Sequence, residues 1–132
     1  MSASPPEALA RLDEIIRRLR RDCPWDREQD ERSIVSHTIE EAGEVAEAAR
    51  AGDDEALHEE LGDLLFQVMF LAMLMEERGA GDLGSIADGL REKLIRRHPH
   101  VFGDVEAETV DEAIAAWRAA KRVEKPGDYD PR

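Results

Sequence analysis

The feature that most constrains the fold is a run of twelve residues, 64–75, in which every side chain except Gln67 is apolar. A helix needs roughly 20 such residues to cross a bilayer, so this run is too short to be a membrane span. Leu57 and Leu61 precede it at helical spacing, which predicts a helix over about residues 54–78. A helix that is apolar nearly all round must be covered on several sides. Because so short a chain offers few helices to cover it, we expect a second subunit to complete the packing.

Two helices are predicted before this one. The first carries Leu9, Leu12, Ile16 and Leu19 and ends near Cys23, because a residue that precedes proline disfavours the helical conformation. The second covers about residues 31–51, with Asp30 as its N-cap. The turn at residues 52–54 is short, which favours antiparallel packing of the helices on either side. We expect Cys23 and Trp25 to anchor the loop between the first two helices by burial.

Two helices follow it. Asp82 is placed to cap a helix that ends at Pro99, and the capping box from Thr109 to Glu112 opens a last helix to about residue 124. The predicted fold class is all-α: an antiparallel bundle of four or five helices, completed by dimerisation. We expect one domain over residues 1–125 and a flexible tail over residues 126–132.

Charge and cysteine content exclude several classes of protein. The 31 acidic and 18 basic side chains give a formal net charge of −13, which argues against a nucleic-acid-binding groove. An acidic chain that handles an anionic substrate needs cations between the two, and a divalent metal is the simplest source. The single cysteine, Cys23, excludes an intrachain disulfide and a cysteine-rich zinc site. With no membrane span and no signal peptide discernible, we expect a cytoplasmic protein.

The second and third helices carry two pairs of acidic residues. Glu41 and Glu44 are three apart, as are Glu60 and Asp63, so each pair shares a helical face. The pairs lie about equally far from the intervening turn, and an antiparallel hairpin would bring them together as two facing pairs. Crowded carboxylates take up protons unless a cation intervenes, and all-oxygen ligation suits Mg²⁺ or Mn²⁺ rather than zinc. A solvated acidic face remains the alternative on spacing alone.

Four segments together carry a resemblance to a known family. They are CPWDREQ at 23–29, the two acidic pairs, EKLIRRHPHVFG at 92–103, and WRAAK at 117–121 followed by Glu124 and Lys125. In this order they resemble the MazG family of nucleoside triphosphate pyrophosphohydrolases over about residues 9–125. The acidic motif is shared with other all-α pyrophosphatases such as dimeric dUTPases, whereas the first and third segments are more specific.

The resemblance implies a set of site residues. Glu41, Glu44, Glu60 and Asp63 would hold Mg²⁺, with Glu40 as a further acidic group and Mn²⁺ as a substitute. Lys93, Arg97, Trp117 and Lys121 would contact the nucleotide. Lys93 and Arg97 are four apart, as are Trp117 and Lys121, so each pair shares a helical face. A solvated basic face for the first pair and core packing for Trp117 are the alternatives.

The implied function is Mg²⁺-dependent hydrolysis of nucleoside triphosphates to the monophosphate and pyrophosphate, with Glu41 or Glu44 orienting the attacking water. Removal of non-canonical nucleotides would fit such an activity. The expected partners are the nucleotide substrate and further copies of the chain, as a dimer or a tetramer, without nucleic acid or membrane. A non-catalytic helical dimerisation or binding module is the alternative. A di-iron bundle is disfavoured, because the Glu-x-x-His pattern of Glu55 and His58 has no second copy.

Overall fold

The computed structural model describes residues 4–124, and every regular element in this range is helical. The helices are α1 (Pro5–Asp22), α2 (Pro24–Glu28), α3 (Glu31–Ala51), α4 (Asp54–Glu77), α5 (Leu83–Arg97), α6 (Pro99–Phe102) and α7 (Val110–Glu124). The predicted all-α class is therefore confirmed. The predicted tail at 126–132 lies outside the described residues, and the single domain over residues 1–125 stays a prediction.

The predicted N-cap of α3 forms, and local hydrogen bonds also define the turn into α4. The side chain of Asp30 accepts a hydrogen bond from the Ser33 backbone N–H, and the Ser33 hydroxyl accepts one from the Asp30 backbone N–H, both at 2.8 Å. At its other end, α3 stops at Gly52, whose φ of 68° is a left-handed conformation that glycine adopts without a Cβ penalty. Asp53 then caps α4 by accepting from the Ala56 N–H at 3.1 Å. These local bonds set the short turn between the two helices.

Proline begins two short helices that the sequence patterns did not predict. Helix α1 ends at Asp22 and α5 at Arg97, as expected, but α2 begins at Pro24 and α6 at Pro99. Proline suits the first helical position because its fixed φ is helical and its missing N–H has no partner there.

In the CPWD segment, residues 23–26, the buried residue is not the one that was predicted. Trp25 is 48% exposed, with its ring edge against His37 at a centroid distance of 5.7 Å, so the expectation that it anchors the loop by burial is wrong. Asp26 is the buried residue of this segment. Helix α2 has only five residues, and the surface around it is too shallow to cover the indole ring of Trp25.

The described residues divide into two compact units, 4–83 and 84–124, each described by itself. In the first unit α3 and α4 pack as an antiparallel pair, and α1 packs against both α2 and α4. Ile16, Ile34 and Phe70 are fully buried and form a core with Met69, Met73 and Leu74. This core lies at the end of the α3–α4 pair that is remote from the connecting turn.

Arg20 fastens α1 to its neighbours in this unit. Its guanidinium donates to both carboxylate oxygens of Glu77 at 2.9 Å and to the backbone carbonyls of Asp26 at 2.5 Å and Gln29 at 2.9 Å. It also lies 5.8 Å from the centroid of the Phe70 ring. One side chain therefore ties α1 to α2 and to the C-terminal end of α4.

Part of the apolar surface of α4 is uncovered. Leu61, Leu65 and Val68 are exposed along one stripe of the helix, and Val35 and Ile39 are exposed on α3. The described chain thus buries α4 on some sides only. Within residues 4–124, no helix combines the length and the apolar character that crossing a membrane requires.

The second unit contains α6 packed against α7, with α5 preceding them. At the start of α7 the predicted capping box forms in part. The Thr109 hydroxyl accepts from the Glu112 N–H at 3.2 Å, but the Glu112 carboxylate accepts from the N–H of Glu108 rather than from that of Thr109.

Candidate metal and nucleotide site

Three of the four predicted metal ligands converge. Glu41 lies on α3, and Glu60 and Asp63 lie one turn apart on α4. One carboxylate oxygen from each lies within 4.8 Å of the other two. The antiparallel hairpin produces this arrangement, because residues equally far from its turn face each other across the helix pair.

The environment of these carboxylates disfavours their ionised forms. Burial, followed by contact with Glu44 and repulsion from the carboxylates of Glu44, Asp63 and Glu41, together raise the pKa of Glu60 to about 7. Burial likewise raises the pKa of Glu41, with added repulsion from Glu44, Asp63 and Glu40. The Oε2 atoms of Glu41 and Glu60 are buried and have no hydrogen-bond partner.

These observations fit a hard divalent cation. Buried carboxylate oxygens without a partner are costly, and a cation between them would satisfy several at once. The donor set is all oxygen, which suits Mg²⁺ or Mn²⁺ better than zinc. The cluster is therefore compatible with a divalent metal ion.

Glu44 lies next to Glu60, as the antiparallel hairpin predicts, but it is not one of the three carboxylates whose oxygens converge. It lies outside the group of three, half-buried beside Glu60, where it lines a cleft of about 280 Å³. Glu40 is exposed. The structure thus shows a convergent group of three carboxylates with Glu44 as a neighbour of Glu60.

Gln67 is a buried polar residue next to the cluster that the sequence patterns did not single out. It is buried in α4 and accepts a hydrogen bond from the hydroxyl of Thr38 on α3 at 3.2 Å. The sequence does contain a signal for this position, since Gln67 is the one polar residue in the apolar run at 64–75.

In the second unit Arg97 is largely enclosed. Its side chain is only 12% exposed, and its Nε lies 3.4 Å from Oε2 of Glu124. Arg96 donates twice to the other oxygen of Glu124, at 2.7 and 3.0 Å, and this contact is the main reason that the pKa of Glu124 is lowered. One carboxylate is shared by two guanidinium groups, which leaves a net positive charge. Arg97 is therefore not part of a freely solvated basic face, and Lys93 is half-buried on the same helix.

Trp117 and Lys121 contact each other on α7. The Lys121 ammonium lies 5.2 Å from the centroid of the Trp117 ring. Trp117 is only half-buried, and it lines a cavity of about 300 Å³ together with His98, His100, Val110, Ala113 and Ile114. Trp117 thus presents part of its ring to this cavity instead of being fully packed in a core.

One histidine of this cavity has a defined tautomer. His98 Nδ1 lies 2.6 Å from the carbonyl oxygen of Leu94, which can only accept, so Nδ1 carries the proton. In the neutral ring Nε2 is then an acceptor. That these cationic and aromatic residues meet the carboxylates over one substrate stays a prediction.

Comparisons with known proteins identify the family that this chain resembles. Residues 29–102 match the family model described as the MazG nucleotide pyrophosphohydrolase domain. A nucleoside triphosphate pyrophosphohydrolase from Escherichia coli strain K12 is 45% identical over 118 residues, covering 87% of this chain and 45% of that protein. A protein from Thermotoga maritima named nucleoside triphosphate pyrophosphohydrolase/pyrophosphatase MazG is 42% identical over 112 residues. The match covers 83% of this chain and 44% of that protein. The chain spans less than half the length of these two curated relatives.

A solved structure shows the same fold. The crystal structure of a mazG-related protein from Thermotoga maritima matches with a TM-score of 0.72 and 33% identity, over 86% of this chain and 98% of that one.

Proposed function

The chain belongs to the MazG nucleotide pyrophosphohydrolase family, and from that membership we propose that it hydrolyses nucleoside triphosphates to the nucleoside monophosphate and pyrophosphate. The observation that carries the proposal is the convergence of Glu41, Glu60 and Asp63, with buried carboxylate oxygens that lack a partner. Such a cluster lowers the stability of the fold when no cation is bound. Its presence is explained if it binds a cation that in turn contacts an anionic substrate.

The proposed ligands of Mg²⁺ are Glu41, Glu44, Glu60 and Asp63, and Mn²⁺ would substitute. A divalent cation at this position supplies positive charge to phosphate oxygens and lowers the pKa of water. Glu44 borders the cleft beside Glu60. A carboxylate there, or that of Glu41, can accept a proton from the attacking water and orient it.

The proposed nucleotide contacts come from the second unit. Lys93, Arg97 and Lys121 would bind the triphosphate, and their charge would stabilise the leaving pyrophosphate. The enclosure of Arg97 beside Glu124 supports this role, because a guanidinium with a fixed Nε keeps its Nη groups available for a bidentate contact. Trp117 would stack on the base.

We also propose that the chain self-associates and acts in the cytoplasm. The exposed stripe of Leu61, Leu65 and Val68 supports self-association, since apolar side chains at this spacing on one helix gain from being covered by another copy. Turnover of non-canonical nucleotides would fit a site whose base contact is one tryptophan.

The test is pyrophosphate release from a panel of canonical, deoxy and modified nucleoside triphosphates, with Mg²⁺ and with EDTA. We expect metal-dependent release in equal amounts with the monophosphate. Glu44→Gln should abolish release while the chain remains helical, and Glu59→Gln, at an exposed position on α4, is the matched control. Absence of release from every triphosphate with either metal would reject the enzyme and favour the non-catalytic binding module.

A further inference from the structure

Thr38 and Gln67 form the layer of the α3–α4 interface that lies next to the carboxylate cluster. Thr38 is three residues before Glu41 on α3, and Gln67 is four residues after Asp63 on α4, so each lies one turn from a carboxylate and on the same face. The next turn beyond them holds Ile34 and Phe70, which are fully buried. A single polar layer thus separates the acidic cluster from the apolar core.

The contact within this layer is directional. The Thr38 hydroxyl donates to Oε1 of Gln67 at 3.2 Å and also lies 3.3 Å from the carbonyl oxygen of Ile34. Gln67 is only 7% exposed, so water cannot easily replace Thr38 as its partner. The bond therefore fixes the position of α3 along α4 and the rotation of the two helices about their axes.

Neither neighbouring layer can define that geometry by itself. Apolar packing between Ile34 and Phe70 is non-directional and tolerates small shifts along and around the helix axes. The carboxylates of Glu41, Glu60 and Asp63 repel one another and tend to separate the helices at their own level. A buried polar contact in an otherwise apolar helix interface is known to specify register.

We propose that Thr38 and Gln67 are positioning residues: their hydrogen bond holds α3 and α4 in the register at which Glu41, Glu60 and Asp63 converge on one cation. This inference rests on the metal site of the proposed function, but not on turnover. It predicts that the pair matters for metal affinity more than for stability.

The experiment compares the full chain with the double variant Thr38→Val/Gln67→Met. Valine has the shape of threonine and methionine has the length of glutamine, and together they leave no unpaired buried group. Metal affinity is measured by calorimetric titration with Mn²⁺, and stability by urea unfolding without metal. We expect the double variant to be at least as stable as the parent chain and to bind Mn²⁺ about tenfold or more weakly, the range seen when the outer partners of metal ligands are removed.

Two single variants guard against a general loss of structure. Thr38→Ser keeps the hydroxyl and should retain Mn²⁺ affinity, whereas Thr38→Val changes only the hydroxyl to a methyl group and should lose it. Ser33→Ala is the matched control, because it removes the capping-box bond that the Ser33 hydroxyl accepts from the Asp30 N–H, at the end of α3 remote from the cluster. Its Mn²⁺ affinity should remain that of the parent.

The outcomes separate the two proposals. Parental Mn²⁺ affinity in the double variant, or in Thr38→Val, would overturn the inference and leave the pair as ordinary core packing. A parent chain that binds Mn²⁺ but releases no pyrophosphate would reject the proposed reaction only. A parent chain that binds neither Mn²⁺ nor Mg²⁺ would overturn both.

Discussion

Protons should be released when Mg²⁺ binds to the carboxylate cluster. A carboxylate must be ionised to ligate a metal ion, and burial beside Glu44, Asp63 and Glu41 raises the pKa of Glu60 to about 7. At pH 7 Glu60 is therefore about half protonated, so Mg²⁺ binding should release about half a proton from this group. The release should approach about 0.9 proton at pH 6 and fall to about 0.01 at pH 9. Glu41, whose pKa is also raised, adds to the release.

The same shift fixes the sign of the pH dependence of stability without metal. The ordinary pKa of a glutamate is 4.5, and that of Glu60 in the folded chain is about 7. Between these values the unfolded chain has lost a proton that the folded chain retains. The free energy of unfolding should therefore fall as the pH rises from about 4.5 to about 7, and Mg²⁺ should oppose that fall.

Calorimetric titration of Mg²⁺ at pH 7 in two buffers with different ionisation enthalpies, such as PIPES and imidazole, measures the protons released. Glu60→Gln should abolish most of the buffer dependence, while Glu59→Gln on the exposed side of the same turn should keep it. Saturable Mg²⁺ binding with equal heats in both buffers would refute the reasoning, because it would mean that Glu60 is already ionised in the free chain.

Three further predictions concern packing, assembly and substrate binding. Phe70→Ala should lower the free energy of unfolding by about 3–5 kcal/mol in urea denaturation, because the ring is fully buried; a loss below about 1 kcal/mol would contradict its central place in the core. Leu65→Glu should convert the proposed oligomer to a monomer in light scattering while the circular dichroism stays helical, and an unchanged mass would remove this stripe from the interface. Arg97→Ala should raise the KM for nucleoside triphosphates about tenfold or more, as expected for the loss of a charge-assisted hydrogen bond. If thermal stability falls while KM is unchanged, Arg97 serves only to pair with Glu124.

The helices could be predicted because their signals are local. Asp30 lies directly before the helix that it caps, and its bond forms as expected. Gly52 and Asp53, which define the predicted turn, are equally local. The short helices at Pro24 and Pro99 were missed because five and four residues are too few to show a hydrophobic period. Trp25 was misplaced for another reason: burial depends on what packs against a side chain, which a local pattern does not contain.

Some features of the site likewise follow from local spacing, and others depend on tertiary packing. Sequence alone determined that Glu41 and Glu44 share one helical face and that Glu60 and Asp63 share another, since helical periodicity depends only on spacing. Tertiary structure alone decided that Glu41, Glu60 and Asp63 converge while Glu44 stands beside them. It also decided that the pKa of Glu60 is raised to about 7. The physical reason is that convergence and burial depend on the rotation and separation of two helices, which packing across the whole interface sets.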